Sequence, residues 1–454
     1  MSTNLKQIIL LTGDILTLYL ALFLALVLRF QTNPMPVLWN NHWPIFTMLF
    51  FVWLVIFYLS GLYDLRQAKN NLSFFGNFFT GIGINLLLSI GFFYLLNLKQ
   101  LSPKTILLIF VGLYAIIFIL WRLMAHFLLK SSNFRNKIAF LGVSEEAKEL
   151  IGTFKNNPQI GYETVAVFLE NPPVKDLPAK IEIKTDTTEL LNYIKQKGID
   201  TVILVSENLK KQTDKTLYEL ILAGVAVAGI DTFFENITHR VPISALSENW
   251  FLENLKDGKR NGYNIIKRWI DVVLAIIMTV IFLAVLPFIA VIIYLDGRGP
   301  IFYRQKRIGQ DGKIFAILKF RSMTPDAEQN GPQFTATGDK RITRVGKILR
   351  ILRLDELPQA INILKNEMSF IGPRPERPEF VNEIQKMTPY YNARHLVKPG
   401  LTGWAQVNHS YTDSFEGNLI KLQFDLFYIK NRSLFLDALT LLKTVNAIVK
   451  RTGR

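Results

Sequence analysis

Residues 269–294 read WIDVVLAIIMTVIFLAVLPFIAVIIY, an apolar run long enough to span a hydrocarbon core of about 30 Å. Basic residues stand on both sides of it: Lys256, Lys259, Arg260, Lys267 and Arg268 before, and Arg298, Arg304, Lys306, Arg307 and Lys313 after. Positive charge marks the cytoplasmic side of a membrane, so this pattern favours both ends on that side. Pro287 removes a helical hydrogen bond and can kink the segment, which lets it dip into the bilayer and return. The run is therefore read as a re-entrant helix over about 269–294. The competing reading, a fifth transmembrane helix, would leave the rest of the chain on the outer side.

Working outward, the first 130 residues hold four further apolar runs of transmembrane length, at about 8–28, 43–62, 75–96 and 105–129. Four is an even number, so the chain returns to its starting side. Lys6, Arg66, Lys69, Lys130, Arg135 and Lys137 fall on one side and the sparser Arg29, Lys99 and Lys104 on the other, which puts both termini inside. The first run has no small-residue cleavage pattern and is expected to stay as an anchor. Asp14 is the one acid at depth in these runs. An intramembrane carboxylate raises the question of function, but a proton relay needs several, and a structural ion pair is the expectation here.

Between these runs, residues 131–254 alternate short apolar strands with polar helical stretches. The strands are IAFLGV (138–143), TVAVFLE (164–170), TVILVS (201–206) and VAVAGI (225–230). That is the pattern of a parallel sheet in a Rossmann-like α/β domain. The glycine-rich fingerprint is missing after the first strand. Gly142 is followed by VSEEAKEL, and Glu145 and Glu146 would repel a pyrophosphate. The domain is read as structural or regulatory rather than catalytic.

The densest chemistry lies at 350–374, RILRLDELPQAINILKNEMSFIGPR. Pro358 fits within a first helical turn, which places Asp355 at or near an N-cap, where an anion is favoured. An isolated Asp-Glu pair in that position would ordinarily be a cap and nothing more. Here Arg350 and Arg353 precede it, and Arg374 stands in a GPRP turn beyond it, and guanidinium groups grip phosphate oxygens bidentately. Upstream, KIFAILKFRSM (313–323) alternates as a short strand, with Lys319 and Arg321 on one face. Downstream, Gly400 and Gly403 in KPGLTGWAQV (398–407) are expected to mark tight turns. A carboxylate in such a setting can attack phosphorus or ligate Mg²⁺, and its neighbour can assist either role.

From about residue 267 to 443 the chain resembles the bacterial sugar transferases, the polyprenyl-phosphate glycosyl-1-phosphate transferases that begin glycan assembly on a lipid carrier. The resemblance rests on GPIFYRQKRIG (299–309), KFRSM (319–323), LDELPQ (354–359), MSFIGPRPE (368–376) and PGLTGWAQV (399–407), in that order. Arg350 matches the family's usual arginine five residues before the catalytic aspartate. The resemblance implies a monotopic α/β catalytic domain over 255–454, with the re-entrant helix at its start, on the cytoplasmic face of the bacterial inner membrane. It implies Asp355 as nucleophile toward a UDP-sugar, with Glu356 beside it and Mg²⁺ held at Asp355 and Glu356. Lys319, Arg321, Arg350, Arg353 and Arg374 would bind phosphate, and the acceptor would be undecaprenyl phosphate. The products would be UMP and undecaprenyl-diphosphate-sugar, as the first membrane step of exopolysaccharide, capsule or O-antigen synthesis. The sugar stays open, with glucose-1-phosphate and galactose-1-phosphate foremost and N-acetylated sugars compatible.

Composition fits a membrane protein with anionic substrates. Half of the 454 residues are hydrophobic, and the net charge of +16 gathers beside apolar runs rather than among surface aromatics. A lipid bilayer and phosphates explain that charge better than nucleic acid. With no cysteine there is no disulfide and no thiolate chemistry. A homodimer through the helices or the central domain is compatible with the sequence. Two other function classes compete. YxxxK at Tyr193 to Lys197 hints at a nucleotide-sugar dehydratase or epimerase, but without the glycine-rich turn, and a non-catalytic scaffold would leave the C-terminal motifs unused.

Overall fold

The computed structural model describes residues 3–31, 37–65, 71–95, 103–130, 135–170, 178, 181–186, 189–255, 261–327, 329, 331, 339–409 and 415–449. Of the basic residues weighed above, Arg66, Lys69, Lys99, Lys256, Lys259 and Arg260 lie outside these. The chain forms two compact units, Met1–Phe234 and Glu235–Arg454.

Each of the four N-terminal apolar runs becomes one helix: α1 (Thr3–Phe30), α2 (Val37–Leu59), α3 (Leu72–Leu95) and α4 (Pro103–Lys130). All four are long and apolar enough to cross a membrane. Their shared interior is aromatic, with Phe57, Phe78, Tyr114 and Phe118 fully buried and the rings of Phe78 and Phe118 stacked at 3.9 Å. Asp14 of α1 pairs with Arg122 of α4 at 2.5 Å, and both side chains are shut away from the surroundings. The Arg122 guanidinium also lies over the rings of Phe118 and Tyr63, at 4.9 and 5.1 Å, and donates to Leu62 O. The lone acid is thus a structural tie between two helices. Its partner, Arg122, sits inside the fourth apolar run.

The rest of this unit is a parallel α/β sheet. Its elements are β1 (Asn136–Leu141), α5 (Glu145–Asn156), β2 (Tyr162–Phe168), β3 (Glu182–Lys184), α6 (Leu190–Lys197), β4 (Thr201–Leu204), α7 (Glu207–Leu222) and β5 (Ala226–Gly229). The strand order is β3-β2-β1-β4-β5, and every neighbouring pair is parallel. Four strands match the predicted ones to within two residues; β3, only three residues long with Glu182 and Lys184 as two of them, adds a fifth. Burial explains why the centre of the sheet is apolar, since Ile138 to Leu141 of β1 are fully buried.

Open α/β sheets bind ligands where the strand order reverses, here between β1 and β4. There the ends of β1 and β4 approach closely. Gly142, at φ 101, sits so close to Ser206 N that a Cβ would collide with it, and Ser206 donates its hydroxyl proton to Glu170. The YxxxK match resolves in the same structural way. Tyr193 OH donates to Glu182 Oε2 at 2.9 Å and Lys197 Nζ to Glu182 Oε1 at 2.5 Å, so both side chains pin α6 to β3.

Helix α8 (Ile230–Thr238) contains the division between the units. The second unit then runs through α9 (Glu248–Asn254), α10 (Asn261–Asp296), β6 (Phe302–Ile308), β7 (Ile314–Phe320), α11 (Arg344–Ile351), a 3₁₀ segment (Leu354–Gln359) and α12 (Ala360–Leu364). It continues with β8 (Ser369–Ile371), α13 (Pro378–Met387), a second 3₁₀ segment (Pro389–Leu396), β9 (Gly400–Thr402), α14 (Trp404–Asn408), α15 (Phe415–Asn431) and α16 (Leu434–Val449). β6 and β7 form an antiparallel ribbon, and β8 pairs with β9 in parallel.

Helix α10 is a 36-residue element that contains Pro287. One face packs along its own unit from end to end. Lys267 Nζ bonds Asp437 at 2.9 Å, and Arg268 donates to Ile363 O and Leu364 O at 2.8 and 3.0 Å, satisfying the last carbonyls of α12. Asp271 accepts from Phe370 N at 3.0 Å, Ala275 packs against Phe315 and Ile363, and Phe282, Ile289 and Ile293 pack with Phe320 and Leu349. The opposite face leaves Trp269, Val273, Ile277, Val280, Phe288 and Leu295 bare at helical spacing.

Candidate active site

Four elements bring the predicted residues together. Helix α11 is capped by Thr343, whose hydroxyl accepts from Gly346 N at 2.9 Å, and it delivers Arg350 beside Ser322, to which Arg350 Nε donates at 2.9 Å. Arg353 then takes a left-handed conformation, φ 56 and ψ 20, which turns the chain into the 3₁₀ segment. Asp355 consequently lies two positions past the cap rather than at it, and no side chain caps this segment. A capping carboxylate would commit an oxygen to a backbone N–H. Asp355 Oδ1 instead is buried with no hydrogen-bond partner.

Glu356, its neighbour, is fully engaged. Lys319 Nζ stands 3.3 Å from Oε1, Arg353 Nη1 3.7 Å from Oε2, and Arg374 Nη1 3.8 Å from Oε1. Both carboxylates are buried, at 6% exposure for Asp355 and 8% for Glu356, so these charges act in a low dielectric. Burial alone would raise the Glu356 carboxyl, but Lys319, Arg374 and Arg353 outweigh it and hold the group well below the carboxylate range. Asp355 goes the other way: burial first, and the Glu356 charge second, push it up against Lys319, Arg350 and Arg353. Burial also pulls Lys319 down, opposed by Glu356. Two adjacent carboxyls are thus driven apart, one fixed as an anion by three cations and one left bare.

Lys319 reaches Glu356 because β7 is fixed to α12 by a residue that the sequence reading did not single out. Asn362 Oδ1 accepts from Leu318 N at 3.1 Å and Nδ2 donates to Ala316 O at 2.8 Å, so the side chain completes the free edge of β7. A polar residue inside the apolar AINIL was the signal. Asp271, an acid inside the long apolar run, was a second.

Arg374 is carried by a loop at 372–376 built on close backbone contact. A Cβ on Gly403 would collide with Gly372 O, and one on Gly400 with Gly372 N. Gly403 has φ −160 and caps α14, and Gly400 opens β9. These glycines therefore serve close approach rather than the tight turns the sequence suggested.

Two predicted residues stand elsewhere. Arg321 turns away from the carboxylates and donates to Ile293 O at 2.9 Å and to Gly297 O, tying the end of β7 to the end of α10. Pro287 lies on the exposed side of α10.

A magnesium ion ordinarily takes one or two carboxylates and fills its remaining positions with substrate phosphate and water. The orphaned Asp355 Oδ1 next to Glu356 fits that pattern. Among the described residues no group of three or more His, Cys, Asp or Glu could hold a metal by itself.

A buried carboxylate oxygen without a partner, beside cations of the kind that bind phosphate, in a chain that also carries helices long and apolar enough to cross a membrane, points to a membrane phosphotransferase. Comparison with known proteins agrees. Residues 262–451 match the bacterial sugar transferase family, and residues 58–211 match a family described as a CoA-binding domain. The chain is 42% identical over 250 residues to a UDP-N-acetylgalactosamine-undecaprenyl-phosphate N-acetylgalactosaminephosphotransferase of Aeromonas hydrophila, a match covering 55% of this chain and 58% of that relative. It is 26% identical to a UDP-glucose:undecaprenyl-phosphate glucose-1-phosphate transferase of Klebsiella pneumoniae, over 95% of this chain and 93% of the relative. It is 32% identical to the protein of that same description from Escherichia coli K12, over 68% and 67%. The chain belongs to the bacterial sugar transferase family.

Proposed function

We propose that this enzyme transfers a sugar-1-phosphate from a UDP-sugar to undecaprenyl phosphate, at the cytoplasmic face of the bacterial inner membrane, through a covalent intermediate on Asp355. The observation that carries this reading is the contrast within the dyad: Asp355 Oδ1 is buried and without a partner, while Glu356 is held by Lys319, Arg353 and Arg374.

In the first step the ionised Asp355 carboxylate attacks the sugar-bearing phosphorus. The bond from that phosphorus to the bridging oxygen breaks, and UMP leaves with the oxygen. In the second step an oxygen of undecaprenyl phosphate attacks the same phosphorus, the bond to Asp355 breaks, and undecaprenyl-diphosphate-sugar is released with the carboxylate restored. The anomeric carbon is untouched, so no second carboxylate at the sugar ring is required. Lys319, Arg353 and Arg374 stabilise the charge of the transferring group, and Arg350 stands beside the nucleophile. Glu356 keeps those cations in place and offers a further oxygen next to Asp355. Mg²⁺, when bound at Asp355 and Glu356, supplies neutralisation of the diphosphate.

The tethering of both halves of α10 to one unit supports a helix that enters and leaves the bilayer on one side. A span with the catalytic unit at one end would not have Lys267 and Ile293 on the same body. We read the donor as a UDP-hexose, glucose or galactose, and the reaction as the first membrane step of exopolysaccharide, capsule or O-antigen synthesis.

The test is UMP release from UDP-glucose, UDP-galactose and their N-acetylated counterparts, with undecaprenyl phosphate and Mg²⁺. Wild type should release UMP with one of them, and Asp355→Asn should lose at least about 1,000-fold, as expected for removal of a nucleophile. Folded wild type inactive with every donor, or an active variant, would overturn the proposal.

A further inference from the structure

Four consecutive carbonyls of the loop that carries Arg374 are each bound by a different donor. Pro373 O accepts from Gly400 N at 2.9 Å, Arg374 O from Arg394 Nη2 at 3.0 Å, Pro375 O from Arg307 Nη1 at 3.0 Å, and Glu376 O from Ile308 N at 3.0 Å. Two of these donors are side chains, and both are arginines. Arg394, on the second 3₁₀ segment, is 3% exposed, and its Nη2 also bonds Asp425 Oδ2 of α15 at 2.8 Å while Nη1 donates to Tyr391 OH. Arg307 is braced by Gln305 at 2.5 Å and stands 3.6 Å from Glu376.

A buried ion pair such as Arg394 with Asp425 is a poor stabiliser, because desolvating two charges offsets most of their attraction. What it supplies here is geometry. The planar guanidinium reaches Asp425, Tyr391 and the Arg374 carbonyl at once, which the single ammonium of a lysine cannot do.

Resting on the function proposed above, we propose that Arg394, held by Asp425, and Arg307 are positioning residues for the donor's diphosphate. They fix the backbone on either side of the Arg374–Pro375 bond and so hold the Arg374 guanidinium at the mouth of the dyad, where it can pass from Glu356 to a phosphate. Neither touches the substrate.

The experiment is a mutant cycle in detergent-solubilised full-length enzyme. Arg394→Lys should lower kcat/KM for the UDP-sugar about tenfold, the scale of a lost hydrogen bond to a charged group, with most of the change in KM. Arg374→Gln should cost more. The double variant should be no worse than Arg374→Gln alone to within about twofold, since a residue that acts only through Arg374 has nothing left to act on. Arg307→Lys, which reaches the loop from the other side, should behave alike and replaces Arg394→Lys if the latter fails to fold. Multiplying losses, or wild-type kinetics in both lysine variants, would overturn the proposal. Calorimetric affinity for UDP with Mg²⁺ is measured on the same set. A wild type that binds UDP but releases no UMP from any donor counts against the proposed function, and the pattern of UDP affinities then decides the positioning roles.

Discussion

Asp355 and Glu356 are adjacent acids with opposite energetics, and the sign of each can be worked out. Burial and the Glu356 charge raise the folded-state Asp355 carboxyl above its ordinary 3.8. Such a group favours folding at low pH, and that contribution is lost as pH rises from 3.8 through the raised value, so at neutral pH the ionised side chain opposes folding. Asp355→Asn should therefore raise the melting midpoint at pH 7 by about 2–4 °C, and the gain should shrink as pH falls toward 4. Glu356 is depressed below 4.5 because Lys319, Arg374 and Arg353 outweigh its burial. Its contribution is present above 4.5 and lost as pH falls through the lower folded value, so Glu356→Gln should lower the midpoint at pH 7, with three cations left unmatched. Scanning calorimetry or a fluorescence melt across pH checks both, and a fall for Asp355→Asn would contradict the division. The pair was legible in the sequence from its arginine-rich setting. Which member is bare was not, because that depends on Lys319 and Arg374 arriving from other elements.

At the level of elements, β8 and β9 are only three residues each, and the register between them depends on backbone contact at Gly372. Gly403→Ala would drive a methyl into Gly372 O, at a position where φ −160 itself would accept alanine. The predicted loss is about 2–4 kcal/mol, read by denaturant titration, together with loss of UMP release as the Arg374 loop shifts. An unchanged stability would show that the loop is not built on this contact. Long elements were readable because their periodicity repeats: the four membrane helices and four of the five parallel strands fall where the hydrophobic pattern puts them. β3, β8 and β9 are too short to show a period. Asn362 and Asp271 broke apolar runs visibly, yet what each satisfies, the edge of β7 and Phe370 N, is fixed by chain more than 40 residues away in each case.

On the scale of the molecule, hydropathy sets the apolar runs apart from the polar chain, but the run at 269–294 fits a span and a re-entrant helix equally by length. The structure adds the tethers along α10, and those give a topological expectation. The chain has no cysteine, so single reporters can be introduced cleanly. In sealed cells and inverted vesicles, Gly262→Cys and Arg298→Cys, at the two ends of α10, should both be labelled by an impermeant maleimide from the cytoplasmic side alone. Labelling of Arg298→Cys from the outside would make α10 a fifth span. The central claim, a phosphosugar carried on Asp355, is most directly tested by intact-protein and peptide mass spectrometry after incubation with the productive UDP-sugar and Mg²⁺, without acceptor. The account predicts an increment of one sugar phosphate on the peptide containing Asp355, discharged by undecaprenyl phosphate and absent in Asp355→Asn. An enzyme that turns over while no adduct forms, or one whose adduct maps to another residue, would contradict it.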